Sequence, residues 1–129
     1  MKARGDFHIL VVEDHEEIRN SVCDVLENEG YRVSHAKDGL EALATVINGA
    51  KAPDLCVLDL MMPVMSGQKL LEALQEDKQL RKIPVIVMTA SGVKPESPVV
   101  VATIAKPFAI QDLLDLVTFQ LNRLSAAKA

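Results

Sequence analysis

Short apolar runs alternate with amphipathic segments along this chain, which is the pattern of alternating strands and helices. The apolar or alternating runs predict five strands, at 9–12, 31–36, 54–59, 83–88 and 99–105. Apolar residues that recur every three or four positions predict helices at 16–29, 38–48, 66–74 and 110–124. Strands that alternate with helices of this length are typical of a doubly wound α/β fold with a parallel sheet.

The second half of the chain departs from this rhythm in one connection. The third, fourth and fifth predicted strands lack a polar face, which predicts that helices bury all three strands on both sides. Between the fourth and fifth strands, however, the segment 90–98 contains Gly92, Pro95 and Pro98. Two prolines and a glycine oppose helix formation, so the fourth helix is predicted to be missing or reduced to a turn. The tail 125–129 is predicted to be frayed.

Composition narrows the class of protein. A chain of 129 residues, 49% hydrophobic and 25% charged, fits one globular domain. Its net charge of -4 gives no basic stripe for nucleic acid, and its apolar runs are too short to span a membrane. Cys23 and Cys56 lie in a helical and a strand pattern, so we expect buried, unpaired thiols. The expected location is the cytoplasm.

Polar side chains stand where four of the predicted strands end. Glu13 and Asp14 follow the first strand, Asp59 ends the third, Thr89 the fourth and Lys106 the fifth. The carboxyl ends of parallel strands share one edge of the sheet, which is where open α/β sheets bind ligands. Three carboxylates, one hydroxyl and one ammonium are therefore predicted to converge.

These groups suit phosphoryl transfer. Mg²⁺ prefers oxygen ligands, and three clustered carboxylates would repel one another without a cation, so a divalent cation site is predicted. One acid after a strand is more often a solvated turn residue, but the combination argues against that reading. Asp59 is the candidate nucleophile, because a carboxylate can attack phosphorus to form an aspartyl phosphate. Lys106 can offset phosphoryl charge and Thr89 can donate to a phosphoryl oxygen. Pro107 constrains the backbone after Lys106, in a trans or a cis bond.

Four motifs in this order resemble a known family, the receiver domain of bacterial two-component response regulators. They are Val-Val-Glu-Asp at 11–14, Val-Leu-Asp-Leu-Met-Met-Pro at 57–63 with Gly67, Thr89-Ala90, and Lys106-Pro107-Phe108. The likeness extends from Ile9 to about Leu124. It implies a flavodoxin-like, five-stranded parallel sheet in the order 2-1-3-4-5, similar to the chemotaxis receiver. It also implies one receiver domain over 1–129, with its core at about 7–124 and no output domain.

The resemblance implies a role for each residue of the acidic site. Asp59 would accept a phosphoryl group from a phosphohistidine on a histidine kinase or a histidine phosphotransfer protein. Asp14 and Asp59 would bind Mg²⁺ directly and Glu13 would bind it through water. The backbone carbonyl of Met61 would supply a further ligand.

The remaining positions implied by the resemblance surround the phosphoryl group. Thr89 and Lys106 would contact its oxygens. Three residues would flank the site, namely Ala90, Ser91 and Pro107; Met61 and Ser91 match positions that tune hydrolysis of the acyl phosphate. Thr103 departs from the family, which usually has an aromatic side chain there that swings inward as a switch. The shortened segment after Thr89 is a second departure, because it removes part of a face that many members use for output or dimerisation.

Other classes of function remain open beside the phosphoacceptor domain. A degenerate receiver would bind proteins without being phosphorylated. An aspartate-nucleophile phosphatase of the haloacid dehalogenase kind would have a second aspartate where this chain has Met61. A dinucleotide-binding domain would carry Gly-x-Gly-x-x-Gly after the first strand, and this chain does not. We expect a domain that catalyses its own phosphorylation and dephosphorylation, and not an enzyme that turns over free substrates.

Overall fold

Five parallel strands form one sheet in the computed structural model, which describes residues 3–49, 52–62, 65–90, 95 and 97–128. The strands are β1 (His8–Val12), β2 (Arg32–Ala36), β3 (Leu55–Asp59), β4 (Val85–Ala90) and β5 (Val100–Lys106). The helices are α1 (Glu16–Asn28), α2 (Gly39–Asn48), α3 (Gly67–Glu76) and α4 (Ile110–Lys128), with 3-10 turns at Arg4–Asp6 and Leu80–Lys82. The strand order is β2-β1-β3-β4-β5. The predicted fold class and strand order are therefore confirmed.

Each face of the sheet packs against its own pair of helices. Ile9 and Val11 of β1 belong to a core shared with α1 and α4. Leu10 and Val12, which point to the opposite face, belong to a second core shared with α2 and α3. Because successive side chains of a strand alternate between faces, a strand covered on both sides must be apolar throughout. This burial explains why β1, β3 and β4 have continuous apolar sequences.

The fifth strand does not fit the prediction of burial on both faces. Ala102 and Ile104 pack on the core beneath α1 and α4, but Val101, Thr103 and Ala105 on the other face are exposed. β5 is the edge strand, and only nine residues join it to β4. The described part of this connection, 95 and 97–99, is not helical, so it lays no helix over this face. The prediction was therefore right for β3 and β4 and wrong for β5.

The number of helices agrees with a reduced fourth crossover. Four α-helices occur in the described residues, where five strands joined by regular crossovers and followed by a last helix would have five. Residues 91–94 and 96 of the shortened connection lie outside the described residues. At the other end, α4 continues to Lys128, so the predicted fraying of the tail is wrong up to that residue. Ser125, which is 7% exposed, belongs to the packed part of this helix.

A local signal in the sequence accounts for the start of α3. The Ser66 hydroxyl accepts a hydrogen bond from the Lys69 N–H at 3.2 Å, and this N-cap begins α3. Cys23 and Cys56 are buried and unpaired, and burial raises the pKa of these thiols to about 11 and about 12.

Among the described residues, no helix is long and apolar enough to cross a membrane.

Candidate functional site

Strand register brings the predicted polar residues together at one edge of the sheet. Val12 of β1 pairs with Leu58 of β3, so the residues that follow these two positions are neighbours. Glu13, Asp14 and Asp59 each place a carboxylate oxygen within 4.8 Å of the other two. The same register logic adds the ends of β4 and β5. The three carboxylates thus lie together, and the ammonium of Lys106 is near two of them.

Glu13 is held on every side by the protein. Its side chain is fully buried, and Oε1 accepts a hydrogen bond from Lys106 Nζ at 2.6 Å. Oε2 accepts one from the His15 N–H at 3.2 Å. On the backbone, the Glu13 N–H donates to the Ala36 carbonyl and the Glu13 carbonyl accepts from Arg19 Nη1, at 3.1 and 3.0 Å. These contacts fix the position of Glu13 on the buried side of the site.

Arg19 is a residue that the sequence analysis missed. It lies in the first turns of α1 and donates to the carbonyl of Glu13, the first residue of the acidic pair. The sequence carries no signal for this contact, because the acceptor is a backbone carbonyl, which is present at every position. His15 is the N-cap residue of α1, without a side-chain cap, and it borders the cavity of the site.

Asp59 lies deeper than an ordinary acid at a strand end. It is 3% exposed, and its Oδ1 accepts from the Met61 N–H at 3.1 Å while Oδ2 lies 3.5 Å from Lys106 Nζ. Burial, together with the neighbouring Glu13 carboxylate, raises the pKa of Asp59 to about 7. The Met61 N–H and the Lys106 ammonium oppose this rise without cancelling it.

The pKa values of the other two titrating groups, Asp14 and Lys106, are shifted by their neighbours in the cluster. Burial opposes ionisation of Asp14, but hydrogen bonds with Asp59 and Glu13 lower its pKa. Burial also disfavours the charged form of Lys106, yet the carboxylates of Glu13 and Asp59 raise its pKa. Three carboxylates thus share one ammonium, and when all are ionised the cluster has an excess of two negative charges. A divalent cation would neutralise that excess.

Thr89 presents a hydroxyl that the described residues leave unsatisfied. The residue is 4% exposed and its Oγ1 is buried without a hydrogen-bond partner among them. Buried polar groups are nearly always paired, so this hydroxyl at the end of β4 is available to a partner such as a ligand oxygen. Ala90 follows it and lines the cavity. Ser91, the predicted flanking residue, lies outside the described residues.

An open cavity of about 750 Å³ gives access to this edge. The acidic residues and Lys106 form one part of its wall, and Met61, with a 69% exposed side chain, stands at its rim. Its apolar part comes from Ile18 and Ile110, near the starts of α1 and α4, and from Phe108, which precedes α4. The bond between Lys106 and Pro107 is cis, which decides the alternative left open by the sequence. Thr103 does not line the cavity and is exposed on β5.

Known proteins share this fold and this sequence pattern. A family model described as "Response regulator receiver domain" matches residues 9–118. The phosphate regulon transcriptional regulatory protein PhoB of Escherichia coli is 34% identical over 122 residues, which are 91% of this chain and 52% of PhoB. The polar-differentiation response regulator DivK of Brucella ovis is 36% identical over 86 residues, 67% of this chain and 68% of DivK. The chain thus spans about half the length of PhoB.

Solved structures agree with this assignment. The chemotaxis protein CheY4 of Vibrio cholerae is 30% identical, with a TM-score of 0.74 over 87% of this chain and 96% of CheY4. The response regulator TrrA of Thermotoga maritima, solved in complex with Mg²⁺ and BeF, is 29% identical, with a TM-score of 0.75 over 87% of this chain and 96% of TrrA. The chain belongs to the response regulator receiver domain family. Receiver domains use Mg²⁺ at their acidic pocket, and their homologues work with histidine kinases.

Proposed function

We propose that this chain is a phosphoacceptor signalling domain of a two-component phosphorelay, with Asp59 as the acceptor. The environment of the Asp59 carboxylate is the observation that supports this proposal. Asp59 is buried beside Glu13 and Asp14, yet it borders an open cavity and lies 3.5 Å from the Lys106 ammonium. A nucleophile needs this combination of access from one side and fixed charges on the other.

The donor that fits this site is a phosphohistidine on a histidine kinase or a histidine phosphotransfer protein. A carboxylate oxygen of Asp59 would attack phosphorus, an O–P bond would form, and the N–P bond to the histidine would break. The imidazole nitrogen leaves with the bonding electron pair and takes a proton. Lys106 would hold one phosphoryl oxygen by charge, and the Thr89 hydroxyl, which has no partner among the described residues, would donate to another.

The acidic cluster fits a hard divalent cation, since all three of its side chains offer oxygen. We assign direct Mg²⁺ ligation to Asp14, Asp59 and the backbone carbonyl of Met61. Glu13 would act through water, because both of its carboxylate oxygens already accept hydrogen bonds from Lys106 and His15. When bound, the ion would neutralise charge on the carboxylates and the phosphoryl oxygens.

The rest of the functional assignment follows from this chemistry. The domain would catalyse only its own phosphorylation and dephosphorylation and would not turn over free substrates. Ala90, Ser91, Pro107 and the Met61 side chain would flank the acyl phosphate. We place the protein in the cytoplasm, because the buried thiols of Cys23 and Cys56 are free, as in a reducing compartment. A receiver that only binds proteins is disfavoured, because it would not need five intact reactive groups at one edge.

Acetyl phosphate labelling tests this proposal. The chain incubated with Mg²⁺ and acetyl phosphate should gain one acid-labile phosphate by intact mass, a readout chosen because the chain has no Trp for fluorescence. Asp59→Asn should gain none, and excess EDTA should abolish labelling of the wild type. Asp24→Asn, a matched change at an exposed position of α1, should label like the wild type. Equal labelling of Asp59→Asn and wild type would contradict the assignment of the acceptor.

A further inference from the structure

Arg19 joins the first turns of α1 to the acidic pair that follows β1. Its Nη1 donates a hydrogen bond to the Glu13 carbonyl at 3.0 Å, six positions back along the chain. This bond is separate from the helical one, in which the Arg19 N–H donates to the His15 carbonyl at 2.9 Å. The backbone of Arg19 therefore belongs to the helix, while its side chain holds the backbone at the end of β1.

The acceptor of this bond is part of the peptide group that leads into Asp14. The Glu13 carbonyl and the Asp14 N–H lie in one plane, because the peptide bond has partial double-bond character. Fixing the carbonyl oxygen therefore fixes the direction in which the chain enters Asp14. The preceding peptide group is held as well, since the Glu13 N–H donates to the Ala36 carbonyl at 3.1 Å.

Asp14 depends on its backbone for its position. Glu13 and Asp59 are buried, whereas Asp14 is exposed, so packing does not fix its side chain. A carboxylate oxygen of Asp14 nevertheless lies within 4.8 Å of the other two carboxylates. Mg²⁺ demands nearly ideal octahedral geometry, so a small displacement of one carboxylate would weaken its binding.

The surroundings of Arg19 indicate that its guanidinium does more than fill space. The side chain is partly buried, and its Nε is buried without a hydrogen-bond partner among the described residues. A buried N–H without a partner is unfavourable, and a methionine would fill similar space without it. The hydrogen bond to the Glu13 carbonyl is therefore the contact that an arginine offers here and an apolar side chain does not.

We propose that Arg19 is a positioning residue of the metal site, which orients Asp14 through the peptide group between Glu13 and Asp14. This role rests on the function proposed above, in which Asp14 is a direct Mg²⁺ ligand. Groups that orient a metal ligand without touching the ion change metal affinity by about 10–100-fold when they are removed. Arg19 acts on the backbone of one ligand, so we expect the lower end of that range.

The sign of the effect separates positioning from charge. Arg19 and Mg²⁺ are both cations, so removing the guanidinium charge alone would strengthen Mg²⁺ binding or, if the charge is screened, leave it unchanged. Removing the hydrogen bond to the Glu13 carbonyl would weaken Mg²⁺ binding. A lower Mg²⁺ affinity in Arg19→Met would therefore report the loss of position and not the loss of charge.

Titration of the full chain with Mg²⁺ tests the proposal without phosphorylation. The amide chemical shifts of Asp14 and Asp59, followed by NMR, should give Arg19→Met a dissociation constant about tenfold above that of the wild type. Arg19→Lys keeps a donor on a long stem, so its affinity should lie between the two, and it serves as the test if Arg19→Met does not fold. Arg123→Met removes an exposed arginine of α4 and should bind Mg²⁺ like the wild type.

Acetyl phosphate labelling gives a second readout. The Mg²⁺ concentration that gives half the maximal labelling rate should rise about tenfold in Arg19→Met, while the rate at saturating Mg²⁺ should stay within about twofold of the wild type. A merely structural role would lower the free energy of unfolding in EDTA and leave both Mg²⁺ values unchanged.

Unchanged or tighter Mg²⁺ binding by Arg19→Met, in a wild type that binds Mg²⁺ and is labelled, would overturn the role of Arg19 alone. The same holds if Arg19→Lys binds Mg²⁺ no better than Arg19→Met, or if Arg123→Met weakens binding equally. A wild type that binds no Mg²⁺ would overturn both this role and the metal site of the proposed function.

Discussion

Removing the Lys106 ammonium should destabilise the metal-free protein through Glu13. Lys106 Nζ lies 2.6 Å from Oε1 of Glu13, whose side chain is fully buried. Lys106→Met keeps most of the aliphatic stem but leaves the Glu13 carboxylate with one donor among the described residues, the His15 N–H. Removing one partner of a buried ion pair costs about 3–5 kcal/mol. Because the Lys106 side chain is 27% exposed, we expect about 2–4 kcal/mol here.

A double-mutant cycle isolates this interaction. Glu13→Gln alone should cost less, because Lys106 keeps Asp59 at 3.5 Å as a partner and remains in contact with water. The double variant Glu13→Gln/Lys106→Met removes both charges, so it should be more stable than the sum of the single effects predicts, by about 1–3 kcal/mol. The measurement is urea denaturation in EDTA, with the free energy of unfolding taken from each curve.

A matched substitution controls for the loss of a lysine. Lys78→Met changes an exposed lysine and should alter the free energy of unfolding by less than about 0.5 kcal/mol. If the effects of Glu13→Gln and Lys106→Met simply add, the two side chains are not coupled. The account of Glu13 as a buried charge held by Lys106 would then be refuted.

Three further predictions concern the neighbours of this pair. Because the pKa of Asp59 is raised to about 7, ionising it opposes folding. In EDTA, the free energy of unfolding of the wild type, taken relative to that of Asp59→Asn, should fall by at most about 4 kcal/mol as the pH rises from about 4 to about 7. A difference between the two urea melts that stays constant over this range would contradict this prediction. Gly67→Ala places a Cβ 2.5 Å from the Asp59 carbonyl oxygen, so the free energy of unfolding should fall by about 1–3 kcal/mol and acetyl phosphate should label the protein more slowly. In the control variant Gly5→Ala the nearest atom to the new Cβ is 3.8 Å away, so neither quantity should change. Acetyl phosphate should label Thr89→Val at least about tenfold more slowly than the wild type. The variant should keep its stability, because the Thr89 hydroxyl has no hydrogen bond to lose among the described residues. Thr89→Ser, which keeps a hydroxyl, should be labelled at the wild-type rate.

The position of the site could be predicted because strand ends are visible in the sequence. A run of buried apolar residues that stops at Asp59 fixes where β3 leaves the core, and the same holds for Thr89 on β4. In a parallel sheet these ends must lie on one edge, so contacts between distant residues follow from local patterns. The hydrogen bond between Glu13 and Lys106, 93 positions apart, is the clearest product of that rule.

Features that depend on what lies outside an element could not be predicted in this way. Val101 has the same apolar character as the buried residues of β3, yet it is 41% exposed because β5 is at the edge of the sheet. An apolar run reports that a segment can be buried, and the neighbouring chain decides whether it is. The role of Arg19 was hidden for a related reason, because its partner is a backbone carbonyl, which any residue could have supplied.

The contacts around Thr89 and Lys106 indicate which elements of the fold a displacement of either side chain would move. On β5, the residue opposite Thr89 is Ala105, and the next residue on that face, Thr103, is also small and exposed. A displacement of the Thr89 hydroxyl therefore meets no bulky side chain on this strand that would have to move. Lys106, by contrast, is joined through Glu13 to Arg19 on α1 by consecutive hydrogen bonds of 2.6 and 3.0 Å. A phosphoryl group that draws Lys106 away from Glu13 would loosen a buried contact at the start of α1. We therefore expect the response of this domain to involve the start of α1 more than the exposed face of β5.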